Sequence, residues 1–213
     1  MSRILRYLFY RVFVRLIVLI VLGLNVRNRE KLPKNGPAII VANHNSHLDT
    51  MVLMSLLPSH LLPITKPVAA ADYFLRNKFI AWFALDIVGI LPISRKRESR
   101  DDDPLERINE SLNKGEILVF FPEGSRGEPE QLSSFKGGIA KLAQTNKQIP
   151  VIPVLLHGLG KALPKGEALL VPFFCDVFVG DPLFGNEDRK RFMQELEISM
   201  KSLAAEGQFQ AWE

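Results

Sequence analysis

The sequence contains little cysteine, little tryptophan and no long apolar run that is free of charge. It has 213 residues with one cysteine and two tryptophans. The single cysteine, Cys175, excludes an internal disulfide and fits a reducing compartment. Because Cys175 follows Phe173 and Phe174, we expect a buried, unreactive thiol there. The charge-free part of the N-terminus, Leu16 to Leu24, has nine residues, too few to cross a bilayer.

The charge balance is weakly basic, with a formal net charge of +4 and a pI near 9.2. No aromatic-basic interleaving accompanies this charge, so we expect no nucleic-acid partner. An anionic membrane surface fits it equally well. The length is typical of a single domain. We divide the chain into a membrane-associated segment over residues 1–30 and a domain over residues 31–213, and we expect neither a metal nor another cofactor.

The N-terminal segment from Ile4 to Leu24 is apolar apart from its arginines and two tyrosines. On a helical wheel the arginines occupy one half of the circle and the large apolar residues the other. This pattern predicts an amphipathic helix that docks on a membrane surface. A signal peptide and an ordinary core helix are alternatives, although Leu22-Gly23-Leu24-Asn25 is a poor cleavage site. The basic residues on this wheel are Arg3, Arg6, Arg11 and Arg15; the apolar ones are Leu5, Leu8, Phe9, Val12, Leu16 and Leu19.

Beyond this segment, short apolar runs alternate with helical patterns. Such alternation predicts an α/β fold with a mostly parallel central sheet flanked by helices. The clearest predicted strands are Ala38 to Ala42, Ile117 to Phe121, Val151 to Leu156 and Leu169 to Val179. Pro104 to Asn113 is predicted as a helix with Asp103 as its N-cap.

Candidate catalytic residues follow the first of these strands, in Asn43-His44-Asn45-Ser46-His47-Leu48-Asp49. If the chain turns between His44 and Asp49, the carboxylate can bond one imidazole nitrogen. That contact fixes the tautomer and leaves the other nitrogen to accept a proton. Two alternatives remain open: a helix-capping box over Ser46 to Asp49 with incidental histidines, or a metal site of His44, His47 and Asp49.

Candidate anion-binding residues follow another buried strand, in Phe121-Pro122-Glu123-Gly124-Ser125-Arg126. Backbone N–H groups at such a turn, together with a guanidinium, can bind a phosphate. A plain turn with a surface arginine is the alternative. Arg95 also follows a predicted strand. Open α/β sheets bind ligands at the carboxyl ends of their strands, so we expect His44, Arg95, Glu123 and Arg126 to converge on one cleft.

Taken together, these blocks resemble the glycerolipid acyltransferases, which include 1-acylglycerol-3-phosphate acyltransferase. The resemblance lies in Asn43-His44-x-Ser46-x-x-Asp49, Gly89 to Arg95, Phe121 to Arg126 and Val151 to Val154, in the family's order. It implies that His44 is a general base and Asp49 its partner. It also implies that Arg95, Glu123, Gly124, Ser125 and Arg126 hold the acceptor's phosphate or organise that site.

The resemblance implies transfer of a fatty acyl group from acyl-CoA or acyl-carrier-protein to the sn-2 hydroxyl of 1-acylglycerol-3-phosphate, giving phosphatidic acid. The implied location is the cytoplasmic face of the inner (plasma) membrane. Where the family often has a lysine after the second strand, this chain has Ala69-Ala70-Ala71-Asp72, so another lysolipid acceptor is an alternative. Two further alternatives are a thioester or ester hydrolase, and a non-catalytic protein that binds anionic lipids through the N-terminal arginines.

Overall fold

A seven-stranded sheet forms the centre of the protein in the computed structural model, which describes residues 2–94, 103–164 and 169–209, and the backbone alone of residues 2, 3 and 19. The strand order is β1-β7-β6-β2-β5-β3-β4. Strands β2 to β6 are parallel, whereas β1 and β7 run antiparallel to them at one side. The strands are β1 Leu22–Arg27, β2 Ala38–Ala42, β3 Thr65–Ala70, β4 Leu91–Ile93, β5 Ile117–Phe120, β6 Val151–His157 and β7 Phe173–Val179.

Helices cover both faces of this sheet. The α-helices are α1 Ser2–Leu8, α2 Arg15–Ile20, α3 Leu48–Leu56, α4 Ala71–Phe74, α5 Lys78–Trp82, α6 Pro104–Asn113, α7 Gly138–Thr145, α8 Leu159–Ala162 and α9 Arg189–Glu206. A π-helical stretch, Phe9–Val14, joins α1 to α2, and we call residues 2–20 the N-terminal helix. A second π-helical stretch, Phe83–Val88, follows α5, and 3-10 turns span Arg29–Lys31 and Ser59–Ile64.

Alternation along the strands divides the core into two layers. Successive side chains of a strand point to opposite faces. In β2, Ile40 packs with the N-terminal helix and α3, whereas Ile39 and Val41 pack with α6, α7 and α9. Because both faces are covered, all five residues of β2 are buried, which explains why this strand is a continuous apolar run.

The predicted fold class is confirmed, and several element boundaries agree closely. Helix α6 occupies the predicted residues, with the Asp103 carboxylate accepting a hydrogen bond from the Leu105 N–H at 3.0 Å. The N-terminal prediction is wrong at its end: the chain leaves the helix after Ile20 and forms β1. Strand β1 pairs with β7, about 150 residues away in sequence, a non-local contact that helical periodicity cannot show.

The N-terminal helix lies on the domain with a buried stripe at every fourth residue: Arg6, Tyr10, Val14 and Val18. The π-helical stretch keeps this spacing because it widens each turn beyond 3.6 residues. The opposite side exposes large apolar side chains, and α5 with its π-helical extension exposes more. On the N-terminal helix these are Ile4, Leu5, Leu8, Val12, Phe13, Leu16 and Ile20; on the second element they are Phe79, Ile80, Trp82 and Leu85.

Two arginines of the predicted basic face point into the protein. Arg6 donates from Nη2 to the Thr65 carbonyl at 2.7 Å. Arg11 donates to the carbonyl of Leu57, and Arg29 to that of Leu56, both at the end of α3. Cations stabilise a helix at this terminus. The expectation of an exposed basic face is therefore wrong for Arg6 and Arg11, whose side chains are held against the domain. Within the described ranges, no helix is both long and apolar enough to span a bilayer.

Candidate active site

The predicted catalytic and anion-binding blocks lie at the carboxyl ends of two paired strands. Strand β2 ends at Ala42 and leads to His44, and β5 ends at Phe120 and leads to Glu123 and Arg126. The two strands pair directly, with Val41 beside Phe120, so the loops that follow them meet. Arg95, the third predicted strand-end residue, lies outside the described residues.

His44 and Asp49 form the predicted pair. The ring nitrogen Nδ1 of His44 lies 2.9 Å from Oδ2 of Asp49. The same oxygen accepts hydrogen bonds from the backbone N–H groups of Asn45 at 2.8 Å and Ser46 at 2.9 Å. Asp49 therefore holds the backbone that precedes α3 and orients the imidazole with a single oxygen atom. The geometry is that of the dyad, whereas the capping box over Ser46 to Asp49 is only half formed, because the Asp49 N–H donates to the Ser46 carbonyl and not to its hydroxyl.

Asp49 is fully buried, and its other carboxylate oxygen, Oδ1, has no hydrogen-bond partner among the residues that the structure describes. Burial raises the pKa of Asp49, and the hydrogen bonds from His44, Ser46 and Asn45 oppose that rise. A carboxylate held in this way stabilises a positive charge on its imidazole partner strongly, because little water screens the pair. The His44 side chain is about one-fifth exposed, and with Nδ1 engaged by Asp49, Nε2 is the nitrogen left for a substrate.

The loop after β5 holds the His44 backbone on both sides. The His44 N–H donates to Oε1 of Glu123 at 3.1 Å, and the His44 carbonyl accepts from the Gly127 N–H at 2.8 Å. Glu123 is buried, which raises its pKa. A buried carboxylate repels a phosphate, so this geometry fits a residue that organises the site better than one that binds the anion. The Phe121 ring stacks on the imidazole, with centroids 4.2 Å apart.

Cationic side chains lie around the same loop. Burial lowers the pKa of His47, and the charges of Arg126 and His44 lower it further, so Arg126 acts electrostatically on this histidine. Gly124 has a φ of 73°, and a Cβ at that position would lie 2.5 Å from Nζ of Lys136. Lys136 was not among the predicted site residues. Its backbone N–H donates to the Pro122 carbonyl, and this bond holds the lysine against the start of the loop after β5.

An apolar cavity of about 170 Å³ lies between the N-terminal helix and α3. Leu48 and Met51, which flank Asp49 on α3, line one side, and Phe83 and Leu22 contribute elsewhere. The N-terminal helix supplies Phe9, Phe13, Val14, Ile17 and Val18. The described residues contribute no polar atom to its surface, so hydrocarbon is the chemistry that it accommodates best.

A second histidine–carboxylate pair lies at the end of β6, outside the residues predicted for the site. His157 Nδ1 lies 2.5 Å from Oε2 of Glu130, which also accepts from the Gly158 N–H at 2.9 Å. Both side chains are mostly buried. Glu130 belongs to the loop that follows β5, so this contact ties that loop to the end of β6. Cys175, as predicted, is buried, and burial raises the pKa of its thiol to about 12.

Comparison with known proteins gives the family. The family model described as Acyltransferase matches residues 23–157, which include β2, the His44–Asp49 pair and the block Phe121 to Arg126 after β5. The chain belongs to the acyltransferase family.

Curated relatives and a solved structure agree with this assignment. The chain is similar to the chloroplastic 1-acyl-sn-glycerol-3-phosphate acyltransferase LPAT1 of Arabidopsis thaliana, with 32% identity over 184 residues, or 82% of this chain and 49% of the relative. It is 27% identical over 164 residues to the human 1-acyl-sn-glycerol-3-phosphate acyltransferase alpha, covering 74% of this chain and 54% of the relative. The chain thus spans about half the length of the curated relatives it matches.

The solved structure is that of the 1-acyl-sn-glycerophosphate acyltransferase PlsC from Thermotoga maritima. The two folds superimpose with a TM-score of 0.76, at 20% sequence identity, over 97% of this chain and 80% of the other. At this identity the likeness concerns the fold, and it includes the N-terminal helix.

Proposed function

We propose that this protein transfers a fatty acyl group from a thioester to the sn-2 hydroxyl of 1-acylglycerol-3-phosphate, giving phosphatidic acid. The observation that carries the proposal is the His44–Asp49 pair at a sheet edge. It is supported by the electrostatic effect of Arg126 on His47 and by the closeness of Lys136 to Gly124. The names of the curated relatives support this acceptor over other lysolipids.

In the proposed reaction, Nε2 of His44 takes the proton from the acceptor hydroxyl as its oxygen attacks the thioester carbonyl. The carbonyl carbon forms a C–O bond, the C–S bond breaks, and the proton passes from the imidazolium to the leaving thiolate. Asp49 stabilises the imidazolium in between. A positioned base of this kind contributes roughly 10²- to 10⁴-fold to the rate.

The acceptor's phosphate would bind at the loop after β5. Arg126 and Lys136 supply two cationic donors there, and the left-handed turn at Gly124 lets the lysine ammonium approach the backbone closely. Lys136 thus offers a positive charge in a chain that has Ala69-Ala70-Ala71 where the family often has a lysine. Binding the phosphate fixes the hydroxyl beside His44 and lowers the entropy cost of the encounter.

The acyl chain of a substrate would occupy the apolar cavity between the N-terminal helix and α3. Leu48 and Met51 line that cavity and belong to the same helix as Asp49, so a chain bound there has its carbonyl end near the catalytic pair. Whether the donor is acyl-CoA or acyl-carrier-protein is decided by the part of the donor outside this cavity.

Membrane docking would place this cavity at its lipid substrates. The N-terminal helix contacts the π-helical stretch after α5 through Phe9 and Phe83, whose ring centroids lie 5.4 Å apart. The exposed apolar side chains of the N-terminal helix and of α5 therefore lie on neighbouring elements. Together they present one apolar surface, and we propose that it lies in the interface of the membrane at which the acceptor resides, on the cytoplasmic side.

The test is to incubate the purified protein with labelled acyl-CoA or acyl-carrier-protein and a panel of lysolipids. The expected result is thiol release matched by labelled phosphatidic acid, and much slower release with lysolipids that lack a terminal phosphate. Free fatty acid as the main product would instead indicate a hydrolase. Vesicle binding with no thiol release for any acceptor would contradict the enzyme assignment.

A further inference from the structure

A second cavity, of about 310 Å³, lies under the N-terminal helix on the side of the domain away from His44. Arg6, Ser59 and Lys66 supply polar groups to its lining, and Tyr7 and Leu85 are exposed residues at its rim. Lys66 is the second residue of β3, and Arg6 bonds the carbonyl of Thr65, the first. The cavity therefore lies at the amino ends of the parallel strands, whereas His44 and Arg126 follow their carboxyl ends.

The buried cation in this cavity is incompletely paired. Arg6 is only 8% exposed, yet among the described residues its one hydrogen-bond acceptor is the Thr65 carbonyl, and its Nε has no partner. No carboxylate of the described ranges lies within ion-pair distance of its guanidinium. Burial lowers the pKa of Arg6, which shows that the charge is held against a desolvation cost. Buried charges normally have a counter-charge.

Local carboxylates do not fully supply that counter-charge. Asp86 lines the cavity but is exposed to solvent. Glu116 acts on Arg6 electrostatically while its own carboxylate accepts a hydrogen bond from the Ser111 hydroxyl. Arg6 and Lys66 both line the cavity, and Asp86 is the one carboxylate that the described residues contribute to its lining.

The cavity opens beside the apolar surface described above. Tyr7 and Leu85 at its rim are 49% and 42% exposed, and Ile4 and Trp82 on the same two elements are 69% and 43% exposed. A ligand with an anionic head and hydrocarbon tails matches this arrangement, since the head can enter beside Arg6 while the tails follow the apolar side chains. A free anion would use the cations and leave the apolar rim unmatched.

We propose that this cavity binds the phosphate headgroup of an anionic membrane phospholipid, with Arg6 and Lys66 as its cationic ligands and Ser59 as a further donor. The inference rests on the membrane docking proposed above. It assigns the cavity to a resident lipid that fixes the N-terminal helix to the membrane, separate from the acceptor bound beside His44.

The direct test measures binding of dihexanoyl phosphatidylglycerol, below its micelle concentration, to the full chain by calorimetry. The Arg126→Ala background weakens the proposed acceptor site, so the titration reports mainly on the cavity. In that background Lys66→Gln should weaken binding about tenfold, the value of one lost charge-assisted hydrogen bond. The matched control Arg15→Gln removes the same charge from an exposed position of the N-terminal helix and should change the affinity less than twofold.

A second variant tests the cavity without removing a charge. Ser59→Trp places an indole in the exposed wall of the cavity and should reduce lipid binding as strongly as Lys66→Gln. Equal effects of Lys66→Gln and Arg15→Gln, or full binding by Ser59→Trp, would overturn the proposal. Inorganic phosphate that binds as tightly as the lipid would overturn the headgroup assignment. None of these readouts depends on turnover, so a failure of the proposed acyl transfer would be seen separately.

Discussion

Replacing Asp49 by asparagine separates the effect of its buried charge on stability from its effect on catalysis. Oδ2 of Asp49 accepts hydrogen bonds from three N–H groups, and Oδ1 is buried with no partner in the described part of the chain. An asparagine oxygen in the position of Oδ2 can keep all three hydrogen bonds. The amide nitrogen then takes the place of an atom that already lacks a partner, so the substitution preserves the shape of the site and removes its negative charge.

Activity should fall steeply in the Asp49→Asn variant. Without the carboxylate, nothing equivalent stabilises the imidazolium that forms on His44 during attack. The corresponding change in Ser-His-Asp triads lowers kcat by about 10⁴-fold, and we expect a loss of about 10³-fold or more here. The assay is labelled phosphatidic acid formation at saturating acceptor, and the acceptor KM should change little because the cations are untouched.

Although its activity falls, the Asp49→Asn variant should become more stable than the wild type as pH rises. Burial raises the pKa of Asp49 above its ordinary value of 3.8, so between those two pKa values the folded state binds more protons than the unfolded state. The free energy of unfolding then decreases with increasing pH across that window. The Asp49→Asn variant lacks this dependence and should gain stability relative to the wild type from about pH 4 upwards.

Denaturant unfolding at a series of pH values measures this gain. Asp181→Asn is the control, since Asp181 is an exposed partner of Lys31 and exposed pairs contribute little. If Asp49→Asn kept near-normal turnover, or lost stability relative to the wild type as pH rose, the buried-charge account of the pair would be refuted.

Three further changes test other parts of the site. Gly124→Ala puts a Cβ at positive φ against a lysine ammonium and should cost about 1–2 kcal/mol of stability and raise the acceptor KM; Gly137→Ala, with open space around it, should do neither. Met51→Trp should shift acyl-thioester competition toward shorter chains, and an unchanged chain-length preference would remove the cavity from the acyl site. Phe13→Asp should reduce vesicle co-sedimentation more than tenfold, whereas Ile198→Asp, at an exposed position of α9, should have little effect.

The sequence was most informative where local pattern determines structure. The continuous apolar residues of β2 and β5 identify buried parallel strands, and the polar residues directly after them must then meet at one edge of the sheet. This reasoning brings His44, Asp49, Glu123 and Arg126 together before any coordinates are known. The Asp103 cap and Pro104 likewise mark the start of α6 because capping is a local interaction.

The sequence was least informative where a distant contact decides the outcome. Leu22–Arg27 continues an apolar helical pattern, and only pairing with β7 makes it a strand. The arginines of the N-terminal helix carry the pattern of a headgroup-binding face, yet the carbonyls of Thr65 and Leu57 accept their hydrogen bonds. These acceptors are backbone groups, which no residue type in the sequence marks.

Loop contacts were also beyond the sequence. Three contacts depend on how a loop folds back. They are the hydrogen bonds of Glu123 and Gly127 to the His44 backbone, the approach of Lys136 to Gly124, and the Glu130–His157 contact. The spacing of these residues has no period that a helix or strand would impose. Gly124 itself was a local signal of the turn, because glycine readily adopts the left-handed conformation found there.

The most direct test of the central claim is the turnover of His44→Ala with acyl thioester and 1-acylglycerol-3-phosphate, beside the wild type and beside a His60→Ala control. The account predicts that removing the His44 imidazole lowers turnover by at least 10²-fold in a protein that still folds and keeps its acceptor affinity, while the His60 variant retains full activity. Near-wild-type turnover by a folded His44→Ala protein would contradict it.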